Sequence, residues 1–347
     1  MVKKIFTMAV VALSVLFILS ACSHSKQPEK KDSADAPERG EVSGNDKEQP
    51  KYYYPLTGLE AKEESNDRAV SVMINNHPKA RPQSGLTDAD IVYEVLAEGD
   101  ITRFLAIFQS KKPQRIGPVR SARDYFIKLA KGYDSLYIAH GYSPEARKML
   151  KNEYIDNING MQYDGTLFKR SSDRQAPHNS YISFENILKG AKQKKYKMEP
   201  APETLNFAQD EDNNQGSAQK ADHILIHYSN NASFNAEYKY NEKLQKFERY
   251  SGNEQTIDLE SKKPVLIDNL FIVEMKHKII DSYGRRGIDL ISGGKAYLIQ
   301  KGTFKEVEWR NANGKIVPYE NGIPSKLVPG KTWINIVPSL KDVTISK

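Results

Sequence analysis

The first 22 residues of this chain decide what the rest can use to hold itself together. Lys3 and Lys4 precede an apolar run from Ile5 to Leu19, and Leu19-Ser20-Ala21-Cys22 sets small residues directly before the only cysteine of the chain. This is the layout of a bacterial lipoprotein signal. Cleavage before Cys22, with acylation of its thiol by diacylglycerol and of the new amino terminus by a palmitate-like chain, leaves a mature protein anchored to a membrane rather than spanning it. Two or three acyl chains, at about 0.8 kcal/mol per buried methylene, suffice for stable attachment. The other reading is an ordinary secretory signal with an incidental cysteine. With the thiol of Cys22 consumed, disulfides, thiolate zinc sites and cysteine nucleophiles are excluded. The fold must then rest on an apolar core and on polar networks.

No later apolar run approaches the roughly 20 residues that cross a bilayer, so the remainder is expected to be an exported, water-facing body on the extracytoplasmic side. Residues 22–54 are rich in Ser, Lys, Glu, Asp, Pro and Gly and are expected to be a disordered tether, because they cannot bury enough surface to offset chain entropy. Residues 23–54 carry six basic and seven acidic side chains. The net charge of +7 therefore lies almost entirely on the leader lysines and the folded body. A basic body tied to a surface suggests an anionic lipid, wall polymer or acidic partner; nucleic acid is not the expected partner. A generic basic exported protein would show the same balance.

Beyond the tether the chain is longer than one average domain. The polar run 200–222, from Pro-Ala-Pro-Glu through Gln-Asp-Glu-Asp-Asn-Asn-Gln-Gly-Ser, reads as a linker or a long surface loop. Before it, at 55–199, strand-like segments (69–74, 91–96, 102–108 and 135–139) alternate with helical spacing at 121–131, 144–151 and 184–195. That order predicts an α/β domain with a mixed sheet. Ser143 as N-cap, Pro144 at the first helical position and Glu145 in the first turn mark a clean helix start. After the linker, at 223–347, short alternating runs (223–228, 236–240, 246–250, 264–267, 270–275, 296–299 and 305–309) predict a mainly antiparallel β domain. Asn313-Gly314 is a hairpin turn signal within it.

One constellation stands out in the first domain: Arg115-Ile-Gly-Pro-Val-Arg-Ser-Ala-Arg-Asp124. If Ser121 caps a helix, Arg120 and Arg123 project from one side of its start. Helix-start amides with guanidinium groups suit a phosphate or carboxylate. Arg103 on the preceding strand and Arg115 before the turn could converge there, and cations at a helix start oppose the dipole unless an anion is near. The competing reading pairs these arginines with Asp88, Asp90, Glu94 and Glu98. A second cluster, Lys169 to Asn179, carries Arg170, Arg174 and His178 and could close over the first; it could equally be a solvated loop. Asp90, with Asp88, could hold magnesium. His77, His140 and His178 lie at turns without metal-ligand spacing. Walker, dinucleotide and Gly-x-Ser-x-Gly fingerprints are missing.

Several segments then acquire a common meaning. Pro55-Leu-Thr-Gly-Leu59, Val72-Met-Ile-Asn-Asn76, Ala80-Arg-Pro-Gln-Ser-Gly-Leu86, Ala89-Asp-Ile-Val-Tyr-Glu94, Gly99 to Phe108, Ile116-Gly-Pro-Val-Arg-Ser-Ala-Arg123, Gly302 to Trp309 and Leu327 to Val337 resemble the YerB family of lipoproteins from low-GC Gram-positive bacteria. The resemblance implies a surface lipoprotein with two domains; the family's domains carry no assigned function, so no catalytic residue is carried over. A looser, fold-level likeness is to the LytR-CpsA-Psr wall-polymer ligases, which bind polyprenyl pyrophosphate through arginines, although Arg123-Asp124 lies in a different local context from their motif. Two function classes follow. The chain is either a non-enzymatic binding or adaptor module with an arginine-rich anion site and a protein-docking β domain, or an envelope enzyme acting on phosphate-linked or polyprenyl-pyrophosphate-linked glycans, with magnesium. Tyr52 to Tyr54, Tyr238, Tyr240, Tyr250 and Trp309 are candidate docking aromatics, and aromatics at strand spacing are also common core residues.

Overall fold

The computed structural model describes residues 51–209 and 218–347. The leader with Cys22, most of the tether and residues 210–217 of the expected linker lie outside the described residues. The principal strands in chain order are β1 (Val70–Asn75), β2 (Ile91–Glu98), β3 (Ile101–Phe108), β4 (Leu136–Ala139) and β5 (Asn157–Asn159), followed by β6 (His223–Ile226), β7 (Ala236–Asn241) and β8 (Lys246–Ser251). Then come β9 (Asn269–Glu274), β10 (Gly294–Gln300), β11 (Thr303–Ala312), β12 (Lys315–Glu320), β13 (Thr332–Val337) and β14 (Val343–Ser346). The main helices are α1 (Asp124–Lys131), α2 (Pro144–Lys151) and α3 (Phe184–Lys194).

A twelve-stranded sheet runs through both halves of the chain in the order β12-β11-β10-β9-β13-β2-β3-β1-β4-β5, with short strands added at β12 and β11. The seam is the parallel pair β13–β2, registered from Thr332 opposite Ile91 to Ile336 opposite Val95. The segments 55–199 and 223–347 are thus sewn into one sheet. Around β9 to β12 the pairing is antiparallel, and the Asn313-Gly314 turn closes β11 onto β12 with both residues at positive φ, as a tight hairpin requires. β9, β13, β2, β1, β4 and β5 all run the same way, with only β3 reversed among them. Their carboxyl ends therefore share one edge of the sheet.

Both faces of this sheet are covered, which is why its strands read as nearly continuous apolar runs rather than as alternating ones. On one face Val70, Val72, Phe104, Ala106 and Leu270 pack under α3 and under a second, six-stranded antiparallel sheet containing β8-β7-β6-β14. On the other, Met73, Tyr93, Val95 and Leu105 meet α1 through Tyr125, Phe126, Ile127, Leu129 and Ala130. The second sheet is covered on one side only, and β8 shows it by alternating buried and half-buried residues. α2 begins as its sequence implies, with the Ser143 hydroxyl accepting from the Ala146 amide at 3.2 Å; Ser183 caps α3 in the same way at 3.0 Å from the Asn186 amide.

One expected helix start is corrected. α1 begins at Asp124, with Arg123 as an extended N-cap residue that makes no side-chain cap. Residues 116–122 are extended, because three neighbouring backbones claim their hydrogen bonds. Ile116 pairs with Ile182, the Arg120 amide donates to the Met73 carbonyl at 2.9 Å, and the Ala122 amide donates to the Gly141 carbonyl at 3.0 Å. Ser121 is no cap: its hydroxyl donates to the His140 carbonyl at 3.1 Å. Two of the candidate docking aromatics, Tyr238 and Trp309, are fully buried. Among the described residues no helix is long and apolar enough to cross a membrane.

Candidate functional site

The extended segment 116–122 crosses the carboxyl edge of the sheet, where β1 ends in Asn75-Asn76-His77, β4 in Ala139-His140-Gly141 and β5 in Asn159-Gly160. Ligands of α/β sheets bind outside the carboxyl ends of their strands, because loops and unpaired strand-end groups gather there. The Gly117 Cα sits so near the Ser180 carbonyl that a Cβ would lie 2.8 Å from its oxygen. Gly160 likewise leaves its space to the His140 ring. The edge is closely packed, and Arg120 emerges from the segment that crosses it.

The arginines divide sharply by what they hold. Arg103 and Arg123 are buried and share the Glu98 carboxylate, Arg103 at 2.7 Å and Arg123 in close contact with the other oxygen. Each also donates through Nη1, Arg103 to the Ser121 carbonyl and Arg123 to the Ala122 carbonyl, while the Arg123 Nε is buried without a partner. Arg115 pairs with Glu260 at 3.0 Å and lies 3.9 Å over the Tyr181 ring. Arg170 grips Asp164, donates to the Asn179 side-chain carbonyl and reaches the His140 Nε2 at 3.2 Å. Arg174 donates to the Ala80 and Pro82 carbonyls at 2.7 Å each and to the Tyr181 hydroxyl. These five are structural clamps. The pairing of Arg103 and Arg123 with Glu98 is the carboxylate reading of the sequence, and the four arginines do not converge.

Arg120 is the exception. Its side chain has no hydrogen-bond or ion-pair partner among the described residues, and its Nε is buried without one. Burial, and then the Arg103 charge, lower its pKa; a guanidinium nonetheless stays charged at neutral pH. Its charge in turn helps lower the pKa of His77, His140 and His178, after burial as the leading cause. His77 and His178 stack with ring centroids 4.8 Å apart.

Their tautomers follow from their partners. The His77 Nδ1 accepts from the Lys79 amide. Asn75 uses its side-chain carbonyl to accept the His77 amide, so its Nδ2 donates to the His178 Nδ1 at 2.8 Å. Neutral His77 and His178 therefore carry their protons on Nε2. His140 is different: its Nε2 accepts from Arg170 and its Nδ1 donates to the Ser180 hydroxyl at 2.7 Å. It is a strut.

Asp90, the residue expected to hold magnesium, has its carboxylate engaged by protein donors. Its carboxylate is buried and accepts from the Gln109 and Ser110 amides at 2.6 and 2.9 Å and from the Ser110 hydroxyl. Donors on both oxygens leave a magnesium ion competing with N–H dipoles turned the wrong way. No group of three or more His, Cys, Asp or Glu side chains gathers to hold a metal among the described residues. Of the expected site residues, Arg120 and His178 come together. His77 and Asn75 join them, and the signal that places them is the Asn-Asn-His that ends the first apolar strand. A surface depression of about 600 Å³ lies away from this cluster, beside Ile291 to Lys295.

Residues 56–197 match the family described as Protein of unknown function (DUF3048) N-terminal domain, and residues 224–334 match its C-terminal domain. The chain is 49% identical over 295 residues, 84% of its own length and 88% of the relative's, to a protein of Bacillus subtilis (strain 168) named "Putative lipoprotein YerB". The chain belongs to the YerB family. A crystal structure of YerB from Bacillus subtilis superposes with a TM-score of 0.80 at 48% identity, covering 85% of this chain and 99% of that one. The N-terminal match thus includes Arg120, His77 and His178, while the C-terminal match brings β7 and β8 with nearly all of β6, β9 to β12 and the first residues of β13, and stops short of β14.

A second polar cluster lies deep in the same body and is structural. Glu94 and Arg249, both buried, meet as a bidentate pair at 2.8 and 2.9 Å. Asn76, Thr102, Trp333 and Tyr238 also donate to Glu94. Arg249 lies 5.1 Å from both the Phe104 and Trp333 rings and donates to Ser251 and Thr256. The pair fastens the second sheet to the first. Asn76 passes its position on, because its side-chain carbonyl accepts from Arg81 and Gln83 in the loop that follows His77.

Proposed function

We propose that the mature chain is a binding module, lipid-anchored through Cys22 on the extracytoplasmic face of the cell membrane, whose sheet edge takes a phosphate-bearing anion at Arg120, His77 and His178. The observation that carries this reading is the unpartnered Arg120 guanidinium within electrostatic reach of the stacked His77 and His178. A buried charge without a carboxylate is costly to keep, and every other arginine predicted for the site has a partner.

Calorimetric titration of residues 51–347 with inorganic pyrophosphate and a short polyprenyl pyrophosphate, with and without magnesium, tests it. A charge-assisted hydrogen bond contributes about 1.5–3 kcal/mol, so Arg120→Gln should weaken binding roughly tenfold to a hundredfold. The same substitution should leave thermal stability unchanged or raise it, since no native partner is lost. Equal binding by the variant and the parent protein would refute the site.

An envelope enzyme acting on polyprenyl-pyrophosphate-linked glycans is the second reading, favoured by the position of Arg120 at the carboxyl ends of parallel strands, where α/β folds also place their chemistry. Against it stands the commitment of Arg103, Arg115 and Arg123 to carboxylates, which leaves one guanidinium rather than four for a pyrophosphate. A protein partner on the β-rich half would have to use partly exposed aromatics such as Tyr240 and Tyr250, with Tyr238 and Trp309 withdrawn into the core.

A further inference from the structure

The chain between β9 and β10 leaves the same sheet edge as a hairpin, His277–Ile279 paired with Arg286–Ile288. Its tip is bare. Ile279 is 65% exposed, Ile280 41% and Tyr283 75%, and Ile291 just beyond the hairpin is 83% exposed. Ile279 and Ile280 are consecutive, and consecutive strand residues point to opposite faces. The tip is therefore bare on both sides, while the strands below it are partly packed, with the His277 Nε2 buried and Ile288 against the core; such a projecting tip suits a medium that surrounds a wedge. Five basic and two acidic residues lie between Lys276 and Lys295. Lys276, Lys278 and Lys295 are exposed, flanking the apolar tip with positive charge.

The wedge is held rigidly. The Asp281 carboxylate accepts from the Tyr283 and Arg285 amides and pairs with the Arg285 side chain at 2.9 Å. Arg286 donates to the Gly99 carbonyl at 2.6 Å, and the Arg285 backbone forms an antiparallel β-bridge with that of Glu98, the residue whose side chain clamps Arg103 and Arg123. An apolar and aromatic tip with exposed lysines in the chain on either side of it, fixed to the sheet edge, has the chemistry of an interfacial membrane contact.

We infer that this hairpin docks the body onto an anionic phospholipid bilayer, bringing the carboxyl edge of the sheet against the membrane surface. The inference stands apart from the anion site. It concerns the resting orientation of the body, which acylation alone leaves unset, and it makes lipid-borne groups the nearest ones to that edge.

The test uses residues 51–347. A YerB chain matched over 99% of its length by 85% of this one has been crystallised, so a body of this extent folds alone. Sedimentation is measured with vesicles of phosphatidylcholine, with and without phosphatidylglycerol. Binding is expected only with the anionic lipid and should fall as salt rises. The triple variant Ile279→Ser, Ile280→Ser, Tyr283→Ser should lose about tenfold or more in partition, and Lys276→Gln, Lys278→Gln and Lys295→Gln about fivefold each. All six sites are exposed, and unchanged melting confirms the fold. The two native tryptophans are buried, so in a Tyr283→Trp variant the fluorescence quenched by brominated lipid reports the tip. Arg120→Gln should leave vesicle binding intact, which separates a failure here from a failure of the anion site. No binding to anionic vesicles, equal binding by the triple variant, or a dimer in solution that the triple variant abolishes would each overturn the inference.

Discussion

Arg249→Met removes one end of the buried pair that joins the two sheets, and its cost can be worked from the partners it leaves. Arg249 and Glu94 are 1% and 0% exposed in their side chains, so solvent cannot replace the lost contact. Glu94 would keep neutral donors from Asn76, Thr102, Trp333 and Tyr238 but no countercharge. Breaking a buried pair in this way costs about 3–5 kcal/mol. At about 2–4 °C per kcal/mol for large domains, and toward the low end for a body of this length, the melting midpoint should drop by roughly 6–12 °C. Replacing Glu94 by Leu in the same chain should recover only part of the loss, since the donors around it would then be buried without an acceptor, at about 1–3 kcal/mol each. Differential scanning calorimetry of the two single variants and the double variant gives the coupling directly. A drop below about 2 °C for Arg249→Met would show that water reaches the pair and would refute its role as the fastening between the sheets.

Three further outcomes follow from the geometry. Burial and Arg120 hold His77, His140 and His178 below the usual histidine value of about 6.5, so the unfolded chain binds more protons just below that pH and the ligand-free body should lose stability as pH falls through this window. Anion affinity should move the other way, rising as pH falls, since a bound anion favours the imidazolium forms; titration with sulfate, whose charge is constant there, checks the sign, and pH-independent affinity would remove His77 and His178 from the site. Gly330, at φ +142, faces Asp268 so closely that a Cβ would lie 2.2 Å from its carboxylate; Gly330→Ala should cost about 2–4 kcal/mol in denaturant unfolding, from the strained backbone and the displaced acceptor of the Lys331 amide. Glu98→Gln should cost about 2–3 kcal/mol, less than Arg249→Met because Glu98 is 27% exposed, and a loss as large as that of Arg249→Met would mean that Glu98 is more enclosed than its surface suggests.

Most of the strands, though not β5, β13 or β14, and two of the three main helices were legible because local chemistry and tertiary context agree there. Ser143-Pro144 makes a helix start whatever lies around it, and Asn313-Gly314 makes a turn. The start of α1 was not legible. Ser121 and the arginines around it satisfy local rules for a helix start, yet residues 116–122 find better partners in the backbones of β1, Gly141 and Ser180–Ile182, contacts that come from positions distant in sequence. The continuity of the sheet across 200–222 was hidden for the same reason, since nothing in Thr332 to Val337 names Ile91 to Val95 as its neighbour. Of the site, the region and the residue types were readable. That one arginine of the set would be left without a carboxylate was not, because each of the others acquires its partner through long-range packing, as Arg115 does from Glu260.

The lone arginine and the bare hairpin are two products of one topological fact. Because β9, β13, β2, β1, β4 and β5 run in parallel, their exits crowd a single edge. There Glu98 pairs with both Arg103 and Arg123, and its own backbone and that of Gly99 serve as the footing of the hairpin. That arrangement fixes the hairpin with respect to β2, and the Glu94–Asn76–Arg81 connection fixes the loop after His77 with respect to the same strand. A displacement of β2 would therefore move the hairpin footing and the histidine loop together. Asn76→Ala tests the link: it should raise hydrogen exchange at the His77 and Lys79 amides while leaving the hairpin amides at their native protection, because the hairpin is held through Glu98 and Gly99 and not through Asn76. Equal loosening at both places would mean that the edge yields as a unit and that β2 does not insulate one from the other.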